Sequence, residues 1–257
     1  MLKALDEAAI RPDVIVGTSI GAFNGAVYAA DPGPAAIERL AKLWADVAEG
    51  DLLGTGLVDR LKVLLKLRVA IHDTATLRGL LSDALPVGSI DDLEVPFQCV
   101  AASVERAAEH WFDAGPLVDA LLASAAVPGL FPPVVIDGQH FYDGGLVNSV
   151  PVDRAVTLGA TEIYVLQVGR LEQPLRPPTR LYETALVAFE IARRHRFGSM
   201  RDRSIPGIEM HILPSANNLR FDDPRQIRWS DLDDTTSLVA SAYEASSEYL
   251  AGLSARR

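Results

Sequence analysis

The stretch DVIVGTSIGAFNGA, residues 13–26, constrains the fold of this chain more than any other. Val14, Ile15 and Val16 suit a short buried strand, and they run directly into Gly17, Thr18, Ser19, Ile20 and Gly21. Small residues follow, as on a close-packed helix. A strand that becomes a helix within so few residues must pass through a sharp elbow. The residues two positions either side of the turn must then lack side chains for strand and helix to pack closely. On this reading Gly17 and Gly21 are both required, and Ser19 sits at the helix N-terminus. There the helix dipole and the free N–H of Ile20 favour negative charge, which suits a nucleophilic serine and its oxyanion. The plainer reading is a helix start rich in small residues.

Similar reasoning along the chain gives helices over residues 2–9, 20–30, 34–48, 57–70, 74–84, 180–200 and 231–253, with a shorter one from about Val152. Strands are expected at 14–16, 95–104, 162–169 and 208–214, with EHWFDA as a hairpin partner of the second. Strands alternating with helices argue for an α/β fold with a mostly parallel sheet covered on both faces, and the uncharged VIV is expected to be buried on both. The 257 residues are expected to form a single domain, 1–257, with the motif-bearing core in about 1–170 and the strand and helices of 171–257 packed on it. Hydrophobic residues make up 49% of the chain, enough for a substantial core. A net charge of −10 argues against nucleic acid as a partner. The lone Cys99 excludes an intrachain disulfide and is consistent with a reducing compartment, here the cytoplasm.

A nucleophilic serine needs a base. The five histidines, His72, His110, His140, His195 and His211, occupy no late glycine-flanked loop of the kind that supplies a triad histidine. Only one strand precedes Ser19, which also weakens the triad reading. The other candidate is Asp143 in HFYDGGLVN, at the end of a strand-like run. Gly144 and Gly145 after it allow a left-handed turn that holds the carboxylate forward, and partial burial raises its basicity. The plain reading of Asp-Gly-Gly is an ordinary turn. No metal-ligand spacing and no phosphate-binding glycine loop is visible, so no cofactor and no metal is expected.

Three segments in order, GTSIGA, ASAAVPGLFPPV and YDGGLVNSVPV, resemble the elbow, the proline-rich segment and the Asp-Gly-Gly motif of the patatin-like phospholipases, in the arrangement of their short bacterial members. LKALDEAAIRPDVIVGTSIGAFNGA is similar to that family throughout, and the resemblance extends to about residue 170. It implies a three-layer α/β/α fold and hydrolysis of lipid acyl esters by a Ser–Asp dyad without histidine. Ser19 would be the nucleophile and Asp143 the base. The partners so implied are a lipid or acyl-ester substrate and, transiently, a membrane surface.

The chain departs from the family in one respect. No glycine occurs before Gly17, whereas the family carries a strand and a glycine-rich oxyanion loop ahead of the first helix. We expect the reading frame to continue upstream of Met1 and to encode, within about 30 residues, an apolar strand and a glycine-rich turn. Without that segment the chain is expected to be nearly inactive and poorly soluble. A catalytically impaired lipid-binding or scaffolding module is the alternative from another class, and a triad esterase is a second rival. Two basic segments complete the reading. Residues 57–70 suit either a lipid-surface helix or a partly covered core helix, and RRHR at 193–196 suits a solvated helix end.

Overall fold

A computed structural model of the chain describes residues 1–49, 74–167, 175–179, 181–201, 205–215 and 235–255. The helix expected over 57–70 lies outside these residues. The elements in chain order are α1 (Leu2–Glu7), β1 (Ile15–Thr18), α2 (Ile20–Ala30), α3 (Pro34–Glu49), α4 (Thr74–Ala84), β2 (Phe97–Ser103), β3 (Ala108–Phe112), α5 (Leu117–Ser124), β4 (Val134–Ile136), β5 (Gln139–Asp143), α6 (Val152–Thr157), β6 (Glu162–Leu166), α7 (Leu181–Arg201), β7 (Glu209–Leu213) and α8 (Thr235–Ser254).

The fold class is α/β. Strand β2 organises the larger sheet, and six of its seven residues are buried. Each residue of a strand has one neighbour on either edge. Val100 pairs with Thr18 and Trp111, and Ala101 pairs with Asp143 and His110. Strand β3 therefore fills one edge of β2. The other edge is shared end to end, by β1 running parallel along Phe97–Val100 and by β5 running antiparallel along Ala101–Ser103. Strand β4 completes a hairpin with β5, and β6 pairs with β7 in a separate parallel sheet. Parallel and antiparallel pairs are thus mixed: short connections such as residues 104–107 and 137–138 permit only antiparallel hairpins.

The main core lies between this sheet and helices α2, α4 and α5, and includes Phe23, Val27, Phe97, Leu117, Leu121 and Phe141. Helix α2 is buried almost all round, which explains its run of small residues. A Cβ at Gly25 would stand 2.8 Å from Ile15 Cγ2, so the glycine lets α2 lie directly on β1. Strand β1 differs from expectation: Ile15 and Val16 are only half-buried, because β1 has a strand partner on one edge alone among the described residues. Helices α6 and α7 meet β1, β6 and the turn after β5 and supply the other helical cover.

Candidate active site

The shared edge of β2 assembles the site. Strands β1 and β5 approach each other head-on, and their C-terminal residues, Thr18 and Asp143, pair with the consecutive residues Val100 and Ala101. The next residue after Thr18 is Ser19. Its Oγ donates a hydrogen bond of 2.5 Å to Oδ2 of Asp143, 124 positions away in sequence.

Ser19 has φ 54° and ψ −125°, a conformation that an L-residue other than glycine rarely adopts. Such strain is the mark of a nucleophile elbow. It is sustained by bonds on both sides. The Ser19 N–H donates to Ser124 Oγ at 2.9 Å, and its carbonyl accepts from Phe23 N–H. Thr18 Oγ1 donates to the Asn148 carbonyl at 2.8 Å, which ties the elbow to the chain beyond Asp143. The Ser19 side chain does not cap α2, so the first N–H groups of the helix, Ile20 and Gly21, face outward without intrahelical acceptors. Ile20 is 39% exposed and Gly21 is exposed, so this helix end is open to solvent.

Ser124 has a role that sequence reasoning missed. It lies inside ASAAVPGLFPPV, but nothing local reveals that its fully buried hydroxyl accepts from a residue 105 positions earlier. Ser124→Ala leaves the strained Ser19 N–H without its acceptor. The expected cost is about 1–3 kcal/mol of unfolding free energy, read from urea titration. An unchanged midpoint and slope would show that the bond contributes nothing.

Gly17 and Gly21 behave differently from one another. A Cβ on Gly17 would lie 2.4 Å from Ala22 Cα, so the close strand-to-helix crossing requires glycine there. A Cβ on Gly21 would meet no described atom within 4 Å. The expectation that packing demands both glycines is corrected: Gly21 faces the open end of α2.

Asp143 is completely buried. Its Oδ1 accepts the Gly145 N–H at 2.7 Å, and its own N–H donates to the Ala126 carbonyl at 2.9 Å. Burial pushes its carboxyl up to about 7; the bonds from Ser19 and Gly145 and the charge of Arg193 act in the opposite sense, while Glu190 adds to the rise. Gly144 and Gly145 form a 3-10 turn, and neither has positive φ. The expected left-handed turn is corrected: the glycines are needed for close approach. A Cβ at Gly144 would stand 2.2 Å from the Val100 carbonyl oxygen, and one at Gly145 2.8 Å from Phe189 Cζ of α7.

No histidine is hydrogen-bonded to Ser19 or Asp143 among the described residues. His110 packs against Phe112 and Phe141, His140 pairs with Glu105, and His211 lies on β7; His72 is outside the described residues. The basic cluster at 193–196 is not a solvated helix end. It lies within α7, where Arg193 and Arg194 bind the buried Glu190 and Arg196 bridges Glu109 and Asp153. Buried Glu190 lies on the same helix and needs these cations, whereas the part-buried Glu109 and Asp153 come from β3 and α6, a pairing that the linear sequence does not show.

The family model for patatin-like phospholipase matches residues 1–156, the segment that carries both Ser19 and Asp143. The chain is 29% identical over 178 residues to the mouse patatin-like phospholipase domain-containing protein 7, which covers 67% of this chain and 12% of the relative. A patatin-like phospholipase domain-containing protein of Caenorhabditis elegans is 30% identical over 185 residues, covering 71% of this chain and 13% of the relative. The lysophospholipase nte1 of Aspergillus terreus is 30% identical over 174 residues, covering 67% and 11%. The chain therefore spans only a small part of the length of these relatives. With the elbow, the Asp-Gly-Gly turn and this match in agreement, the chain belongs to the patatin-like phospholipase family.

Proposed function

We propose that this protein hydrolyses acyl esters of lipids, with Ser19 as nucleophile and Asp143 as general base. The observation that carries this reading is the 2.5 Å hydrogen bond from Ser19 Oγ to the buried carboxylate of Asp143. A lipid ester as substrate is supported by the relatives, which are named phospholipases and lysophospholipases.

In the proposed reaction Ser19 Oγ attacks the acyl carbonyl carbon while its proton passes to Asp143 Oδ2. The oxyanion faces the N-terminus of α2, where the uncapped N–H of Ile20 is a donor to it. Collapse of the tetrahedral species returns the proton to the departing alcohol and leaves an acyl ester on Ser19. Water then attacks that ester, giving a proton to Asp143; collapse breaks the bond to Ser19 Oγ, which takes that proton back, and the fatty acid leaves. A carboxylate suits this role because burial raises its proton affinity towards neutrality. A lipid substrate requires contact with a membrane or micelle surface. Among the described residues no helix is long and apolar enough to cross a membrane.

The reading is tested by incubating the protein with a lysophospholipid and a phospholipid and measuring fatty acid release by mass spectrometry. Release that disappears in Ser19→Ala supports it; release unaffected by that change contradicts it. The raised carboxyl also fixes the pH dependence. The reactive form is the carboxylate, so kcat/KM is expected to rise about tenfold per pH unit at low pH and level off above about 7. Stability runs the other way. Asp143 favours the folded state fully below its ordinary value of 3.8 and loses that contribution as pH rises through about 7. Asp143→Asn removes this loss, so thermal melts of the variant gain on the parent as pH rises from 4 to 8. A flat rate profile over that interval, or melts that stay parallel, would overturn the assignment.

A further inference from the structure

Away from Ser19 and Asp143, strands β6 and β7 run parallel with Glu162 opposite Glu209 and Tyr164 opposite His211. Side chains two apart on a strand point the same way, so these four share one face of the pair. His211 Nε2 lies 3.4 Å from Glu162 Oε1 and 3.2 Å from Glu209 Oε1. One ligand atom from each of the three residues falls within 4.8 Å of the others. His211 is only 4% exposed, yet its Nε2 makes no hydrogen bond among the described residues. A buried ring nitrogen within ion-pairing distance of two carboxylates, yet with no hydrogen bond to either, is poorly satisfied unless something else engages it.

The separations match a metal. Two ligands at ordinary zinc distances on a tetrahedral centre stand roughly 3.3–3.4 Å apart. The surroundings also suit one. The other ring nitrogen, Nδ1, faces the Tyr249 hydroxyl of α8 at 3.4 Å, and the Tyr164 hydroxyl donates to Glu162 Oε1 at 2.6 Å. Metal-binding histidines and carboxylates are commonly oriented by such outer partners. Glu162, Glu209 and Tyr164 have further interactions of their own. A carboxylate has two oxygens and several lone pairs, so one oxygen from each glutamate is all the metal needs. The three ligands come from two strands, 47 positions apart at the widest step, which is why no ligand spacing is visible along the sequence.

We propose that Glu162, Glu209 and His211 form a three-ligand site for a divalent transition metal of the zinc class, with water in the fourth position. The metal would clamp β6 to β7 beside α8. The proposal does not depend on the hydrolase reading, since none of the three ligands is bonded to Ser19 or Asp143.

The test uses the full chain, stripped with EDTA and exchanged into metal-free buffer, then titrated calorimetrically with zinc chloride and melted with and without it. One equivalent of zinc is expected to bind saturably and to raise the melting temperature by several degrees. His211→Gln and Glu209→Gln should each weaken binding at least tenfold. Glu209 is exposed, so Glu209→Gln keeps the test valid if the buried His211→Gln fails to fold. No saturable binding at one equivalent would leave the cluster as side-chain contacts alone and overturn the proposal. A folded Glu209→Gln protein that binds zinc like the parent would overturn it as well.

Discussion

Ser19→Ala and Asp143→Asn are each expected to lower hydrolysis of a soluble chromogenic ester by on the order of a thousandfold or more. The first removes the attacking oxygen. The second keeps the size of the side chain but replaces the group that receives the proton. The two effects should not add, because the residues act as one unit: the double variant should be about as slow as either single one. His110, His140 and His195 have no bond to either residue, so their alanine variants should retain turnover within a few-fold. A folded histidine variant as slow as Ser19→Ala would replace the dyad with a triad.

The second large effect is on folding. In Gly144→Ala the new methyl would sit 2.2 Å from the Val100 carbonyl oxygen, and in Gly17→Ala 2.4 Å from Ala22 Cα. Both obstacles are backbone atoms of the sheet and its covering helix, so neither can turn aside as a side chain does. Overpacking a core typically costs about 1–3 kcal/mol, and clashes with backbone belong at or beyond the top of that range. Gly21→Ala is the internal control. Its Cβ meets no described atom, and within a helix alanine is favoured over glycine by about 1 kcal/mol. Urea unfolding of the three variants should therefore show two large losses beside a neutral or slightly stabilised third. A Gly144→Ala protein within 0.5 kcal/mol of the parent, the scatter of an ordinary surface change, would mean that the turn after Asp143 is not packed as described.

Much of this was legible in the sequence. Helix α2 and helix α4 begin and end where their apolar spacing and breakers predict, and β3 follows β2 as the expected hairpin. Periodicity reports local structure, and these elements are local. The meeting of Ser19 with Asp143 was suggested by two motifs, but its cause is a register. Strands β1 and β5 divide one edge of β2 between them, and register is set by packing over the whole sheet. Ser124 was hidden for the same reason, since a serine near a helix end carries no mark of a partner 105 positions away. Gly17, Gly144 and Gly145 all stand at close approaches, and the physical reason at 144 and 145 is proximity to Val100 and Phe189 rather than handedness. Arg193, Arg194 and Arg196 read as a surface cluster because their carboxylate partners lie both on the same helix and on distant elements.

Covalent trapping distinguishes Ser19 activated by Asp143 from any other nucleophile. A serine-directed fluorophosphonate is incubated with the full chain and the adduct is mapped by peptide mass spectrometry. One adduct is expected, on Ser19, absent in Ser19→Ala and formed far more slowly in Asp143→Asn. An adduct on another residue, or ester turnover by a chain whose Ser19 remains unlabelled, would contradict it.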